Sequence, residues 1–485
     1  MENKETFKKI MAAFIILCLS TTGLVLLFLN IFKIRSSGES VLAFPEAEGD
    51  GAGAIGGRGG KIIEVTNLND TGPGSLRAAC EEKGPRIVIF RVAGIITIKN
   101  PIEITSPFIT IAGQTAPAGG ITIKGHQISV RTHDAIIRFI RVRTGRRDDF
   151  HMQEGDCLSI GNHCQNVIID HCSFSWSNDE NMEIWSDEDA AQNVTVSWNL
   201  IAEGLSYKHE SCGLLIGSDI NALGMKNLCI HHNLFMHGDS RFPLAKSHDA
   251  EIINNLMYNW RWWPAGIEGG IIVDIINNKF KPGANMLKSY DYEVMVRIDW
   301  KNQAYGPPGK PSIYIEGNIG PHQSNPKGDN WGMLICWREW TPLGYQPDRI
   351  ICERKHPMQN EKYPVTIHHV DILEKIILPD VGAAKRLDEN GHWISDRDLV
   401  DERLVREYVN GTGFIPFDEN DVGGYPKINA GKPYNDSDHD GMPDQWEKRW
   451  KFDPDDPLDS SKDKDGDGYT NIEEFLNGTN PGKGI

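Results

Sequence analysis

Short strands with alternating apolar residues recur through the middle of the chain. The recurring segments are "NVIIDHCSF", "NVTVSWNLI", "NLCIHHNLF", "AEIINNLM", "IVDIINNKF" and "SIYIEGNIG", between residues 166 and 320. Each places a small polar residue before a final apolar one, and these polar residues are Cys172, Asn199, Asn233, Asn255, Asn278 and Asn318. A repeated strand with loops of variable length is typical of a solenoid whose coils stack like residues on like. We therefore predict a parallel β-solenoid with an internal ladder of asparagine amides.

Flanking segments extend this pattern in both directions. Upstream, "KIIEVTNL", "RIVIFRVAGIITI", "FITIAGQ", "GITIKG" and "AIIRFIRVRTG" predict the first coils. Downstream, the stretch from Asp396 predicts a helix that ends at Gly411, while residues 320–395 predict only loops and late coils. An antiparallel sandwich is the alternative, although the turns lack hairpin dipeptides such as Asn-Gly at the repeated positions.

The N-terminal segment predicts export. Residues 11–32 form an apolar run preceded by Lys8 and Lys9 and followed by Lys33 and Arg35. The run is long enough to span a bilayer, so residues 1–43 are either a signal peptide or an uncleaved membrane anchor. Either interpretation places the rest of the chain outside the cytoplasm, secreted or on the cell surface. Eight of the nine cysteines follow the run, a number that permits disulfides without specifying their pairing.

The C-terminal segment, residues 431–485, contains two acidic loops, "DSDHDGMPDQWE" and "DKDGDGYTNIEE". Both match the spacing in which three aspartates and a closing glutamate surround calcium, with a glycine at the sharp turn. The predicted ligands are Asp436, Asp438, Asp440, Glu447, Asp463, Asp465, Asp467 and Glu474. The loops resemble bacterial dockerin and thrombospondin-type-3-like modules, which implies a short helical, EF-hand-like tail with a structural role or an attachment partner. A merely solvated acidic tail is the alternative.

A second group of acidic residues lies upstream of two cations in the middle of the chain. The chain has 67 acidic and 50 basic residues, a net charge of −17, which argues against nucleic-acid binding. Within this acidic chain, "HGDSRFPLAKSH" places Arg241 and Lys246 in one turn. Carboxylates two or four residues apart on a strand share a face, so two pairs upstream can point into one groove: Glu154, Asp156, Asp179 and Glu183. Their oxygens suit calcium, and a network of ion pairs with the two cations is the alternative.

Several motifs together resemble the pectate lyase family of right-handed parallel β-helix polysaccharide lyases. They are "LNDTGPGSLRAA", "TIAGQTAPAGGITI", "VIIDH" and "DSRFP", and the resemblance covers roughly residues 44–415. It implies an all-β fold, with a right-handed parallel β-helix as the catalytic domain over residues 44–430. It also implies that Glu154, Asp156, Asp179 and Glu183 hold calcium, and that the family's R-x-P-x-x-R motif falls on Arg241, Pro243 and Lys246.

The resemblance implies a calcium-dependent β-elimination on polygalacturonate or pectin, with unsaturated oligogalacturonides as products. Arg241 is then the base, and Lys246 and Lys208 bind the acidic polysaccharide. Burial and positive neighbours would lower the pKa of such an arginine, and an alkaline optimum would supply its neutral form. Three departures from the family pattern bear on the site: Glu154 replaces an aspartate, Asp179 and Glu183 reverse the usual order, and Lys246 replaces an arginine, which loses bidentate binding.

Two other functions fit parts of the sequence. A β-helix glycoside hydrolase acting on pectin needs paired carboxylates as acid and base, and the chain lacks an Asp-Asp pair with a following Gly-His-Gly. A non-catalytic polysaccharide-binding or adhesion protein needs only the calcium tail and the anchor. The sequence therefore predicts the lyase first and keeps these two as alternatives.

Overall fold

The computed structural model describes residues 41–148, 155–207, 210–297, 306–338, 341–342 and 362–484. Glu154, Lys208 and the apolar run at residues 11–32 lie outside these ranges, so their predicted roles stay predictions. Within the described ranges, no helix combines the length and apolar character needed to cross a bilayer. The segment Leu42–Ile485, which includes the acidic tail, forms one compact unit.

The first sheet contains ten parallel strands, one from each successive coil. These strands are β1 (Lys61–Val65), β2 (Arg86–Phe90), β5 (Ile109–Ala112), β8 (Ala135–Arg138), β11 (Gln165–Asp170), β14 (Gln192–Ser197), β17 (Lys226–His231), β20 (Asp249–Ile253), β23 (Ile272–Ile276) and β26 (Ser312–Glu316). Each strand pairs with the strand one coil later, so the sheet runs the length of the solenoid.

The other coil strands form two further parallel ladders, which share one pairing between Cys212 and Ser240. The groove sheet consists of β4 (Ile102–Ile104), β7 (Ile128–Val130), β10 (Leu158–Ile160), β13 (Glu180–Trp185), β16 (Cys212–Gly217), β19 (Leu244–Lys246), β22 (Ala265–Glu268), β25 (Val294–Arg297) and β27 (Leu334–Arg338), with the short antiparallel β28 (Thr341–Pro342). The third sheet consists of β3 (Gly94–Thr97), β6 (Ile121–Lys124), β9 (Arg141–Arg143), β12 (Ser173–Ser175), β15 (Leu200–Ala202), β18 (Leu234–Ser240), β21 (Leu256–Trp263) and β24 (Lys279–Lys281).

This arrangement is a parallel β-helix and confirms the predicted fold class. The inward-facing residues of the three sheets form one continuous core, dominated by isoleucine, valine and leucine. Branched aliphatic side chains suit such a core because they pack well against like residues on the pleated surface of the neighbouring coil. Six of the cysteines are free thiols buried in the structure: Cys80, Cys157, Cys164, Cys172, Cys212 and Cys229.

The predicted amide ladder is present inside the helix. The side-chain amide of Asn199 donates to Asn233 Oδ1 at 3.1 Å, and the contact repeats at 3.0 Å from Asn233 to Asn255. The same 3.0 Å contact continues from Asn255 to Asn278 and from there to Asn318. All five asparagines are fully buried, and each side-chain amide also donates to a backbone carbonyl of the preceding coil. The coils on both sides therefore satisfy its hydrogen bonds.

The described chain has five α-helices and a β-hairpin outside the coils. The helices are α1 (Leu76–Glu81), α2 (Leu373–Asp380), α3 (Leu399–Asn410), α4 (Asp444–Trp450) and α5 (Asn471–Asn477), and the hairpin pairs β29 (Lys385–Leu387) with β30 (Trp393–Ser395). Short 3-10 turns occur at Asp50–Gly53, Gly113–Thr115, Ala222–Gly224, Asn330–Met333, Val370–Ile372 and Glu419–Val422. Helix α3 confirms the prediction from Asp396: it begins after an Asp398 cap and ends at Gly411, whose φ of 69° is left-handed.

Candidate active site and calcium loops

A groove of about 820 Å³ lies over the groove sheet. Its lining includes Asp179, Glu180 and Glu183 from one coil, and Arg241 and Lys246 from a coil two turns later. The sequence separates these two groups by about sixty residues, and the stacking of coils brings them together. The groove is therefore lined by four of the five described residues that the sequence predicted for the catalytic site, since Asp156 is not among the lining residues.

Three buried carboxylates converge at one point of the groove. Asp156, Asp179 and Glu180 each contribute a side-chain oxygen that lies within 4.8 Å of the other two. Their exposed fractions are only 1, 5 and 2%. Burial, reinforced by the negative charges of Glu183 and Asp179, raises the pKa of Asp156 well above its usual range. A cluster of oxygens in which negative charge is this unfavourable fits a divalent cation such as calcium, which prefers carboxylate ligands.

Glu180 is the member of this cluster that sequence reasoning missed. The prediction assumed that Asp179 and Glu183 begin and continue one regular strand, on which adjacent residues point to opposite faces. The chain bends at Asn178 and Asp179, and β13 begins only at Glu180, so adjacent carboxylates can share the cluster. Glu183 lies further along β13, where it lines the groove and accepts a hydrogen bond of 3.1 Å from Ser159 Oγ. Its calcium-binding role stays a prediction.

Arg241 lies beside the carboxylate cluster. It occupies the corner between β18 and β19 with a left-handed φ of 66°, and its guanidinium forms an ion pair with Glu180. Its side chain is 20% exposed. Burial lowers the pKa of Arg241, although the nearby charges of Asp179, Glu268 and Asp156 oppose that shift. The structure thus places one cation where it can reach both the carboxylate cluster and the groove.

Lys246 lies along the same groove with its ammonium over an aromatic ring. The Nζ atom is 4.3 Å from the centre of the Trp185 ring and 3.4 Å from Asp219 Oδ1. Trp185, Gly217 and Lys246 occupy equivalent positions in three successive coils. A Cβ atom at Gly217 would overlap the Lys246 side chain, so this glycine leaves the space in which the lysine reaches across to Trp185. Trp185 and Gly217 are further groove residues that the sequence did not indicate.

No family model matches the chain. It is 32% identical over 456 residues to "Probable pectate lyase C" of Emericella nidulans, covering 93% of this chain and 96% of that protein. It is 33% identical over 466 residues to the protein of the same name from Aspergillus fumigatus, covering 94% of this chain and 98% of that one. The chain belongs to the pectate lyase family. This membership confirms the predicted enzyme class, a polysaccharide lyase.

A solved structure supports the fold assignment of this pectate lyase family member. The 1.7 Å crystal structure of Jun a 1, the major allergen from cedar pollen, matches with a TM-score of 0.52 and 16% sequence identity. The match covers 69% of this chain and 92% of the allergen. At this identity the likeness concerns the fold alone.

The acidic tail of this pectate lyase homologue forms two compact loops. Oxygens of Asp436, Asp438 and Asp440 lie within 4.8 Å of one another, and those of Asp463, Asp465 and Asp467 form the same arrangement. A further triad of the same size joins Asp440 to Glu447 and Asp459. Sequence reasoning missed Asp459 because it lies outside both loop motifs.

Burial makes negative charge unfavourable at the closing glutamate of each tail loop. Burial and the neighbouring charges of Asp440 and Asp438 raise the pKa of Glu447 to about 9. Burial, opposed by a hydrogen bond from Thr479 and supported by the charges of Asp467, Asp465 and Asp463, raises the pKa of Glu474 to about 7. Both closing glutamates therefore occupy surroundings that favour neutralisation by a cation.

Proposed function

We propose that this protein cleaves polygalacturonate or pectin by calcium-dependent β-elimination outside the cytoplasm. The observation that carries the proposal is the position of Arg241 beside the buried cluster of Asp156, Asp179 and Glu180, in one groove with Lys246. A carboxylate cluster for calcium and two cations for an acidic polymer are the components that elimination from a uronic acid needs. The relatives' names support the same substrate class.

Calcium at the carboxylate cluster, together with Lys246, would hold the substrate. Asp156, Asp179 and Glu180 would bind calcium, with Glu154 and Glu183 as further predicted ligands. Calcium bound there supplies positive charge beside a substrate carboxylate and stabilises negative charge that develops on it. Lys246, kept in place by Trp185 and Asp219, offers a second positive charge to a neighbouring sugar carboxylate, and Lys208 is a further predicted contact.

Arg241 would remove the proton from the ring carbon that carries the carboxylate. Burial lowers the pKa of its guanidinium, which favours the neutral form that accepts a proton. The ion pair with Glu180 holds the guanidinium at the cluster before reaction. The electron pair of the broken carbon–hydrogen bond then forms a carbon–carbon double bond as the glycosidic oxygen departs. That oxygen takes up a proton and becomes a hydroxyl group of the other product. No water is consumed, and one product carries an unsaturated sugar at its end.

In this proposal the chain has three parts with different roles. Residues 44–430 are the catalytic domain, and residues 431–485 are a calcium-binding module. Its ligands would be Asp436, Asp438, Asp440, Glu447, Asp463, Asp465, Asp467 and Glu474. Residues 1–43 would export the protein or anchor it in the membrane, as the apolar run at residues 11–32 predicts.

The test uses the purified protein with polygalacturonate and calcium, and follows the ultraviolet absorbance of the unsaturated product. Elimination gives absorbance and new reducing ends together. New reducing ends without absorbance would instead indicate the hydrolase, and neither signal would indicate a polysaccharide-binding protein. A parallel assay with a calcium chelator must abolish the absorbance if the groove works as proposed.

A further inference from the structure

The acidic tail packs against the outer face of the first sheet. In β2, Val88 and Phe90 face the core of the β-helix, whereas Ile87 and Ile89 face outward. The outward isoleucines are nevertheless buried, because they belong to an apolar cluster with the tail. The tail members of that cluster are Met442, Trp446, Ile472, Phe475 and Leu476. An outer strand face with this composition needs a cover, and the tail provides it.

Two arginines of the first coils join the tail to the β-helix. Arg91, directly after β2, lies 3.3 Å from Glu64 and 3.6 Å from Asp436, and donates to the backbone carbonyl of Tyr434 at 2.6 Å. Arg58 donates to both carboxylate oxygens of Glu473 in α5, at 2.9 and 3.0 Å. The contacts reach both loops of the tail, so the whole module is attached to one face.

The first tail loop contains a carboxylate cluster that extends beyond its sequence motif. Two overlapping triads share Asp440, one with Asp436 and Asp438 and the other with Glu447 and Asp459. Glu447 is fully buried. Among the described residues, neither of its carboxylate oxygens has a hydrogen-bonding partner. A buried carboxylate that faces other carboxylates and accepts no hydrogen bond lowers the stability of the fold, unless a cation lies between these groups.

We propose that a calcium ion held by Asp436, Asp438, Asp440, Glu447 and Asp459 locks the tail onto the first sheet. The tail is then an internal clamp of the catalytic β-helix, in place of the attachment role that its sequence resemblance implied. The ion acts on the interface at two points. Trp446, the residue before Glu447 in α4, lies in the apolar cluster, and Asp436 is the carboxylate near Arg91. Binding the ion therefore orders the same residues that cover β2.

Asp459 makes the clamp span the module. It lies on the connector between the two loops and is 6% exposed. Joining it to the first ion draws the connector, and with it the start of the second loop, toward helix α4. This extra ligand distinguishes the proposed site from a loop that binds calcium in isolation. The proposal does not depend on the chemistry of the groove.

The test uses the full chain with Glu447→Gln and Asp459→Asn. The matched control is Asp455→Asn, which removes the same charge from an exposed aspartate of the same connector. Bound calcium is counted by equilibrium dialysis, and unfolding of the β-helix is followed by far-ultraviolet circular dichroism with and without calcium. We expect calcium to raise the unfolding temperature of the wild type and of the control by several degrees, since a ligand stabilises the state that binds it. Glu447→Gln and Asp459→Asn should lose most of that rise, and Glu447→Gln should bind one ion fewer.

The groove ion is separated with Asp179→Asn. This variant should lose lyase activity at low calcium yet keep most of the calcium-dependent rise in unfolding temperature, because its tail is intact. Absence of that rise in Asp179→Asn would overturn the clamp, as would equal losses in the control and the two tail variants. If the tail variants behave as expected and no variant produces unsaturated sugar, the clamp stands and the proposed function fails.

Discussion

Replacing Arg241 with lysine tests the proposed base while keeping a positive charge beside Glu180. Glu180 is 2% exposed and pairs with the guanidinium, so a neutral substitution would leave a buried carboxylate without its partner. That change costs about 3–5 kcal/mol of folding free energy and would confuse loss of fold with loss of chemistry. Lysine retains the charge, and we expect it to cost no more than one hydrogen bond to a charged group, about 1.5–3 kcal/mol.

The kinetic effect of Arg241→Lys should be much larger than its effect on stability. Loss of a general base typically lowers kcat by about 10²–10⁴-fold. This corresponds to about 2.7–5.4 kcal/mol of barrier. KM should change little, because Asp156, Asp179 and Lys246 remain. The assay is the initial rate of unsaturated product formation at saturating calcium, with the unfolding temperature measured on the same preparation.

Arg403→Lys is the matched control for this experiment. Arg403 lies in α3, and its guanidinium bonds both oxygens of the buried Glu203 at 2.7 and 2.8 Å. It resembles Arg241 in pairing with a buried glutamate, and it does not line the groove. A fall in kcat of less than about tenfold in Arg241→Lys, below the usual effect of a general base, would remove Arg241 from that role. An equal fall in Arg403→Lys would attribute the loss to the fold.

Three further predictions follow from the site and the fold. Asp156→Asn should raise the calcium concentration needed for half-maximal rate more than it lowers the rate at saturating calcium, as a calcium titration of the rate would show. Asn255→Leu should destabilise the fold by about 2–5 kcal/mol in denaturant unfolding, because the buried backbone N–H of Asn233 loses its acceptor and the amide–amide bonds to Asn233 and Asn278 are lost. For Asp398, burial raises the pKa, but Arg143 and Arg141 outweigh it and hold the pKa below its usual range. Its contribution to stability is therefore present above about pH 4 and lost as the pH falls further. Asp398→Asn should be less stable at neutral pH, and its free energy of unfolding should fall less steeply than that of the wild type as the pH is lowered below about 4.

The coil architecture was predictable because the same strand pattern recurs many times in the sequence. Asn199, Asn233 and Asn255 occupy the same position of this repeated pattern, so they can be recognised as equivalent although the loops between them differ in length. Glu180 could not be found in this way, since the bend before β13 interrupts the alternation on which the prediction depended. Arg241 and Lys246 were found from a motif, but their distance to the carboxylates depends on how the chain enters two coils that lie two turns apart.

The clamp was less predictable, although the sequence contains one signal for it. The strand "RIVIF" is apolar at four consecutive positions, whereas a strand with one solvated face alternates. This pattern indicates that both faces of β2 are covered, without showing by which segment. Asp459 carried no signal of its own, because an aspartate in an acidic connector is unremarkable until the connector folds back toward Glu447.

The asparagine ladder has a consequence for how this protein can change length. Every rung is chemically the same, and the last rung ends on Asn330, which accepts from Asn318 Nδ2 at 3.0 Å and donates to the Asn318 carbonyl at 3.1 Å. Deleting or duplicating one whole coil would bring two identical amides into contact and leave the terminus unchanged. Removing part of a coil would place an apolar residue against an amide. Insertions and deletions among relatives should therefore occur as complete coils or within loops, and the groove should lengthen or shorten in steps of one strand spacing, about 4.8 Å.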